Sequence, residues 1–410
     1  MTAPALVEHF FRREYGKLVA TLSRRVGVQH IEAIEDAVQS ALMTALESWR
    51  VKGLPDNPTA WLFKVAHNNL LGDLRKSAGR RRILEQTSEA NPSQLVPEVL
   101  LIGEIPDDLL RMLFVCCDEA IPVESQLVLA LKTLCGFSVR EIAMRLFANE
   151  ASIYKRLGRA RSRLRELPPR SEDLDSDDLR ARLPAVHGIL YLLFTEGYLS
   201  SHAEIAIRRE LCDEAIRLAT ILVGHRVGQV PETSALLALM HLHTARVAGR
   251  QDDSGGLLLL EEQNRDLWDQ ASISTGLEWL ARSAEGGVYS RYHAEARIAA
   301  AHCLAPTFSE TPWAEVAECY ALLEQVAPSA LHRLNRAVAV AEWKGPAAGL
   351  AVLEGFTPPT WLIGSYLWSS VLADLHRRSG NVAEAERYRD LAIGSAPTDA
   401  VRVLLRRRLG

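Results

Sequence analysis

The sequence predicts an all-α protein, on two observations: apolar residues recur at helical spacing along nearly the whole chain, and β-branched alternation bounded by turn residues is almost absent. A third observation divides it. Gln86 to Asp108 is rich in Pro, Ser and acid, and Leu167 to Asp178 combines a Pro pair with five carboxylates, so the 410 residues fall into three helical parts. The boundaries read as a domain over 1–86, a flexible linker over 87–106, a domain over 107–167, an acidic Pro-rich linker over 168–182 and a long helical domain over 183–410.

The composition, 48% hydrophobic and 24% charged, is that of an ordinary folded protein with room for two or three domains. A net charge of -4 argues against a globally basic nucleic-acid binder, but a sum over the chain hides local patches. The six cysteines include the adjacent pair Cys116 and Cys117 and no CxxC, which reads as buried reduced thiols, not as a disulfide framework or zinc site. The start, MTAPALVEHFFRREYG, carries no basic region followed by a long apolar run, and no apolar segment reaches about 18 residues. The expectation is a cytoplasmic protein without a membrane span.

In the first part, IEAIEDAVQSALMTALESW places Ile34, Val38, Ala41, Ala45 and Trp49 on one helix face and Glu32, Asp36, Gln39, Met43 and Glu47 towards the other. After the turn GLPDNP, Pro58 and Thr59 signal a second helix start, and the helix continues past Arg75. At about 100° per residue, Leu62, Ala66, Leu70 and Leu74 form its core stripe, while Trp61, Lys64, Asn68 and Arg75 gather on another. An aromatic face can stack on an unstacked base, amides can read base edges and cations neutralise phosphates, the combination that single-stranded nucleic acid demands. Lys76, Arg80, Arg81 and Arg82 extend the charge. The same pattern also fits a core tryptophan and a solvated basic helix end that complements the helix dipole.

In the second part, FSVREIAMRLFANEASIYKRLGRARSRLRE has the layout of a helix-turn-helix: a short helix from about Val139 to Arg145, a tight connection, then a longer helix capped by Asn149. The inner face of the longer helix is Ile153, Leu157, Ala160, Leu164 and Leu167. Its outer face carries Ala151, Lys155, Gly158, Arg159 and Ser162, with Tyr154 and Arg156 at the flanks. Base edges and phosphates need reach near the N-terminal half of such a helix, and a small residue where the backbone comes close. Phe147 departs from the pattern, standing where such turns commonly hold Gly.

These segments, EDAVQSALMTALESW, PTAWLFKVAHNNLLGDLRK and SVREIAMRLFANEASIYKRLGRARSRLR, resemble in order and spacing the extracytoplasmic-function sigma factors of bacterial RNA polymerase, over roughly residues 5 to 167. The resemblance implies two small DNA- and polymerase-binding domains and no chemistry by the chain itself. It implies that Trp61, Lys64, Asn68, Asn69, Arg75 and Lys76 serve the promoter's minus-ten element as the duplex opens and bases are captured. It further implies that Ser152, Tyr154, Lys155, Arg156 and Arg159 serve the minus-thirty-five element, although the family often has Arg where Tyr154 stands. Asp36, Gln39 and Met43 match the surface for the clamp helices of the polymerase β′ subunit; the implied partners are core polymerase, through those helices and the β flap, and promoter DNA.

The third part is predicted to be an α-solenoid-like domain. SSVLADLHRRSGNVAEAERYRDLAIGSAP places Gly380, Ala385, Tyr388, Ala392 and Pro397 at tetratricopeptide spacing, and LHRLNRAVAVAEWKGPAAGLAVLE and RRELCDEAIRLATILV resemble degenerate copies. The whole resembles a subgroup of these sigma factors with a long helical extension, for which a regulatory protein or small ligand is the expected partner. His187, His202, His225, His241, His243, His293 and Glu196 form neither HExxH nor a Cys/His metal pattern and read as structural; no GxxxxGK[ST], GxGxxG after a strand or GxSxG occurs, so neither enzyme activity nor a cofactor is expected. Two other readings stand beside the sigma factor. One is a helix-turn-helix regulator with a partner-sensing repeat domain; the other is a repeat scaffold without a DNA role, which leaves Lys155 to Arg165 unexplained.

Overall fold

The structure, a computed structural model, describes residues 3–84, 105–167, 176–200, 207–252, 256–285 and 287–410, and of residues 3–13 and 77–84 the backbone alone. The two expected breaks therefore fall largely outside the described residues, as do His202 and the side chains of Arg80, Arg81 and Arg82. The described residues are helical, and their β structure is an isolated bridge between Gln251 and Leu257. The chain divides into two compact units, Met1–Ile189 and Leu190–Gly410.

The first unit is built from α1 (Ala3–Val26), α2 (Ile31–Lys52), α3 (Pro58–Leu84), α4 (Asp108–Cys116), α5 (Val123–Thr133), α6 (Val139–Arg145) and α7 (Glu150–Glu166), with the first half of α8 (Ser176–Tyr198). Local chemistry sets the helix ends. Gly53, at φ 79°, closes α2 by donating to Trp49 O, and the Asn57 side chain accepts from Ala60 N to open α3 with Pro58 in its first turn. Asp107 caps α4, and Ser138 with Glu141 forms a capping box on α6. Leu18 and Leu22 of α1, Ile34, Val38 and Ala41 of α2, and Leu62, Ala66 and Leu70 of α3 share one buried core.

The helices that follow α3 pack back on this three-helix core. A Cβ at Gly16 would lie 1.9 Å from Leu134 O, so α1 meets the end of α5 where only glycine fits. Asp108 accepts from Thr21 Oγ1 at 3.0 Å and pairs with Arg24 at 2.8 Å. Glu35, only 3% exposed, accepts from Thr133 Oγ1 at 2.7 Å and pairs with Arg161 of α7, while Glu32 pairs with Arg165 at 3.2 Å. In α8, buried Arg182 pairs with Asp118 at 2.6 Å and donates to Phe114 O.

The second unit continues from α8 through α9 (Arg209–Gly224), α10 (Pro231–Thr244), α11 (Gln270–Ser283), α12 (Arg291–Leu304), α13 (Trp313–Val326) and α14 (Ala330–Lys344). It ends with α15 (Pro346–Leu353), α16 (Thr360–Ile363), α17 (Tyr366–Arg378), α18 (Val382–Gly394) and α19 (Asp399–Leu409). From Thr233 to Met240, α10 is buried on every side and forms the unit's central post. Successive clusters then link neighbours: α10 to α12 through Ala238, Leu242 and Ala296, α12 to α14 through Ile298 and Ala339, and α14 to α17 through Leu334 and Leu372. Each cluster thus joins helices near one another in sequence, with Ile273 of α11, Val316 of α13 and Leu353 of α15 filling in between, the packing logic of repeats.

The two segments expected as hairpins at 331–354 and 369–397 fall on the pairs α14/α15 and α17/α18, turned at Gly345 (φ 93°) and Gly380 (φ 78°). Segment 208–223 is instead the N-cap residue Arg208 followed by one unbroken helix, α9. The stack also closes on itself: Leu257 joins the cluster of α19, and Arg407 donates to Leu257 O at 3.1 Å and pairs with Glu262 at 2.7 Å.

Candidate nucleic-acid interface

Two helices carry the candidate reading surfaces, and both belong to the first unit. On α3, burial of Leu62, Ala66 and Leu70 turns Lys64, Asn68 and Arg75 outwards, and all three are exposed. Neither Lys64 nor Arg75 has a carboxylate within ion-pair distance among the described residues, whereas Lys76 lies 3.3 Å from Asp73. Asn69 points aside: its Nδ2 is 3.4 Å from Ser40 Oγ on α2, so of the two adjacent amides Asn68 is the one facing solvent. Trp61 is half-buried, its ring tilted against Trp49 with centroids 5.5 Å apart, so it both packs and keeps an accessible edge.

On α7, the Asn149 side chain accepts from Ser152 N at 2.8 Å and fixes the start of the helix. Ile153, Leu157, Ala160 and Leu164 are buried, which leaves Tyr154, Lys155 and Arg159 exposed on the far side and Ser152 half-buried at the first turn. Most cations of this helix are already engaged by acids: Arg156 pairs with Glu124 at 2.6 Å, Arg161 with Glu35, Arg163 with Glu166 at 2.7 Å and Arg165 with Glu32. Lys155 and Arg159 have no such partner among the described residues. Arg156 therefore differs from the other candidates, being held towards α5. A Cβ at Gly158 meets nothing within 4 Å, so no described neighbour requires glycine there, although glycine inside a helix costs about 0.5–1 kcal/mol against alanine. In the turn before α7, Phe147 adopts φ 50°, the conformation that explains why glycine is common at this position.

The outer face of α2 carries exposed Asp36, Gln39 and Met43, with Met43 at 59% exposure. Leu46, Val51 and Leu54 extend this apolar exposure. Sequence reading missed them, although Leu46 lies one turn beyond Met43 on the same side. It also missed Glu35, whose signal is an acid beside Ile34 and Ile31 on the core side of α2. Burial raises the Glu35 carboxyl above its ordinary value, opposed by Arg161 and the Thr133 hydroxyl, and burial with the nearby Glu35 charge raises the Tyr15 phenol.

Among the described residues no group of His, Cys, Asp and Glu is placed to hold a metal ion, and no helix is long and apolar enough to cross a membrane. The chemistry the surface offers is recognition: exposed cations for phosphates, an amide for a base edge and an apolar-edged helix face for another helix.

Residues 10–80 match Sigma-70 region 2, which covers α2 and most of α1 and α3. Residues 182–284 match the Family of unknown function (DUF6596). The N-terminal match indicates a sigma-70 family factor, and region 2 implies binding to core RNA polymerase and promoter DNA. An uncharacterized protein of Rhizobium meliloti is 33% identical over 385 residues, spanning 93% of this chain and 90% of that protein, and this chain belongs to the same family. No solved structure matches it.

Proposed function

We propose that the protein is an alternative sigma factor of the extracytoplasmic-function type, which directs core RNA polymerase to a subset of promoters and assists melting at the minus-ten element. The observation that carries this reading is the set Lys64, Asn68 and Arg75, exposed together on α3 inside the segment that matches Sigma-70 region 2. Trp61, Asn69 and Lys76 border that set, and base extrusion, at a few kcal/mol, is offset by stacking, edge hydrogen bonds and polymerase contacts. On this reading Lys155 and Arg159 contact the minus-thirty-five element with Ser152 and Tyr154, and Gly158 lets the DNA backbone approach. Arg156 joins them only by leaving Glu124. Asp36, Gln39 and Met43 dock on the β′ clamp helices, and the second domain meets the β flap.

The reading takes 1–86 and 107–167 as the two working domains, joined by a linker over 87–106. A second linker, 168–182, leads to a tetratricopeptide-like regulatory domain over 183–410. It has a mechanical consequence. The two promoter elements lie about 25 base pairs apart, roughly 85 Å of duplex, whereas α7 and α3, about 25 Å and 40 Å long, are bridged by α2. Reading both elements at once requires the Glu35–Arg161 and Asp108–Arg24 contacts to open.

Run-off transcription with core polymerase on a promoter library tests the proposal. Asn68→Ala and the double variant Lys155→Ala/Arg159→Ala should each reduce promoter-specific transcripts at least tenfold. Affinity of the polymerase complex should fall steeply with salt. The alternative is a helix-turn-helix regulator that uses the second unit to sense a partner. It predicts that the intact chain shifts duplex DNA but neither binds core polymerase nor starts transcripts, and the exposed Met43 and Leu46 of α2 disfavour it.

A further inference from the structure

Two buried arginines among the described residues meet an acid. Arg182 has Asp118, and Arg208 lies 3.5 Å from Glu196. Arg246, just beyond the end of α10 in the second unit, does not. It is 7% exposed, its Nη2 donates to Tyr198 Oη at 2.9 Å and lies 3.1 Å from His243 Nδ1, and no carboxylate of the described residues pairs with it. Two more guanidinium groups stand around it. Arg250 lies over the Tyr198 ring at 3.8 Å and donates to Tyr198 O. Arg265 lies 4.5 Å from the Trp268 ring centroid, with Arg246 at 5.9 Å from the same ring, and donates to His302 O and Ala305 O at 2.6 Å.

Neither of these has an acid partner among the described residues. Glu310 acts on Arg265 only from a distance and is itself bonded to Thr307. The two histidines add no negative charge: burial, with the neighbouring arginines, pushes His302 down to about 3 and His243 well below its ordinary value, so both are neutral at pH 7. Three positive charges thus converge without an acid partner among the described residues, and an arginine cannot escape by losing its proton.

Donors are left over as well. Arg246 Nε, Arg265 Nη2 and Trp268 Nε1 are buried without a hydrogen-bond partner, and so is His302 Nδ1. Buried polar groups are normally paired, and an unpaired buried charge is strongly unfavourable; cation–π contacts with Tyr198 and Trp268 offset only part of that. Trp268 is brought close to this turn by Gly249, where a Cβ would lie 2.9 Å from Trp268 Nε1. The cluster is therefore locked by packing and preset to donate.

We propose that the Arg246–Arg250–Arg265 cluster is a binding site for a small molecule bearing a dianionic oxyanion group, a phosphate monoester. Forked guanidinium groups match tetrahedral phosphate oxygens with paired hydrogen bonds, and a phosphate monoester carries about −1.5 to −2 at pH 7, which suits three arginines better than one carboxylate does. Arg246 supplies the buried charge, Arg265 and Arg250 the half-buried rim, and Trp268 Nε1 a neutral donor. This assignment stands on the second unit alone and is independent of the sigma-factor reading.

Calorimetry and thermal melting of the intact chain, without polymerase or DNA, test it. The probes are inorganic phosphate and glycerol 3-phosphate against chloride, acetate and citrate at matched ionic strength. Both phosphates should bind and raise the melting midpoint, and chloride and acetate should not. Arg265→Met should weaken phosphate binding at least tenfold, while Lys155→Ala/Arg159→Ala leaves it unchanged, which separates this site from exposed cations on α7. Arg246→Met should abolish binding yet leave the ligand-free melting midpoint unchanged or higher. A phosphate response equal to that of chloride, one insensitive to Arg265→Met, or binding of citrate alone would overturn the assignment. Should Arg246→Met fail to fold, Arg265→Met decides.

Discussion

Two buried charges, one in each unit, are treated in opposite ways. In the first, Glu35 is enclosed between α2, α5 and α7 and is answered by Thr133 and Arg161. In the second, Arg246 is enclosed as deeply, beside two more arginines, and is answered by a phenol, an imidazole and an indole face. A satisfied buried ion holds elements together; an unsatisfied one stores a demand that an external group can meet. The first arrangement is a latch and the second a socket, although burial alone would not separate them.

The sharpest way to break this comparison is to remove each charge. Glu35→Ala leaves Arg161 and Thr133 without their acceptor and should destabilise the contact between α2 and α7 by about 3 kcal/mol, read as faster hydrogen exchange in both helices. Arg246→Met should have no cost or the reverse sign in the absence of ligand. Equal losses in the two variants would show that the sites are not different in kind.

Acid sharpens the contrast further. His302 is held at about 3 by burial and by Arg246 and Arg265, so between about 6.5 and 3 the unfolded chain binds a proton that the folded one refuses. Its contribution is complete above pH 6.5 and is lost as pH falls, by about 2 kcal/mol at pH 5. The Glu35 carboxyl is raised, so its contribution runs the other way: present below its ordinary value of 4.5 and lost as pH rises through the folded value. Urea midpoints of the second unit at pH 8 and pH 5 should therefore diverge, and His302→Gln should narrow the difference, with buried His243, shifted in the same direction, keeping part of it.

The smallest expected effect is on α7. Gly158→Ala should stabilise the helix by about 0.5–1 kcal/mol, since nothing described lies within reach of the added Cβ. If α7 reads DNA as proposed, the same change should lower promoter-specific transcription despite the gain in stability. A variant both more stable and fully active would assign Gly158 no role in close approach.

Helix positions were largely legible in advance. Val139–Arg145, the Asn149 cap and the Pro58 start depend on residues a few positions apart, where capping and periodicity act directly. The same periodicity separated Leu62, Ala66 and Leu70 from Lys64, Asn68 and Arg75, so the exposed stripe of α3 could be read before any packing was known. It did not distinguish Asn69 from Asn68 by partner, because Ser40 lies 29 residues away on another helix. Nor does periodicity separate Arg156, at the flank of the α7 outer face, from its basic neighbours; its ion pair with Glu124 on α5 does.

What the sequence by itself determined was the all-α class, the helix ends and the outward faces of α3 and α7, since each follows from spacing within one element. Only the tertiary structure decided which charges find partners: Glu35 meets Thr133 and Arg161 across separations of 98 and 126 residues, and Arg246 meets Tyr198 across 48 without meeting an acid. Pairing of buried charge depends on which distant helices pack together, and the sequence pattern of a single helix carries no trace of it.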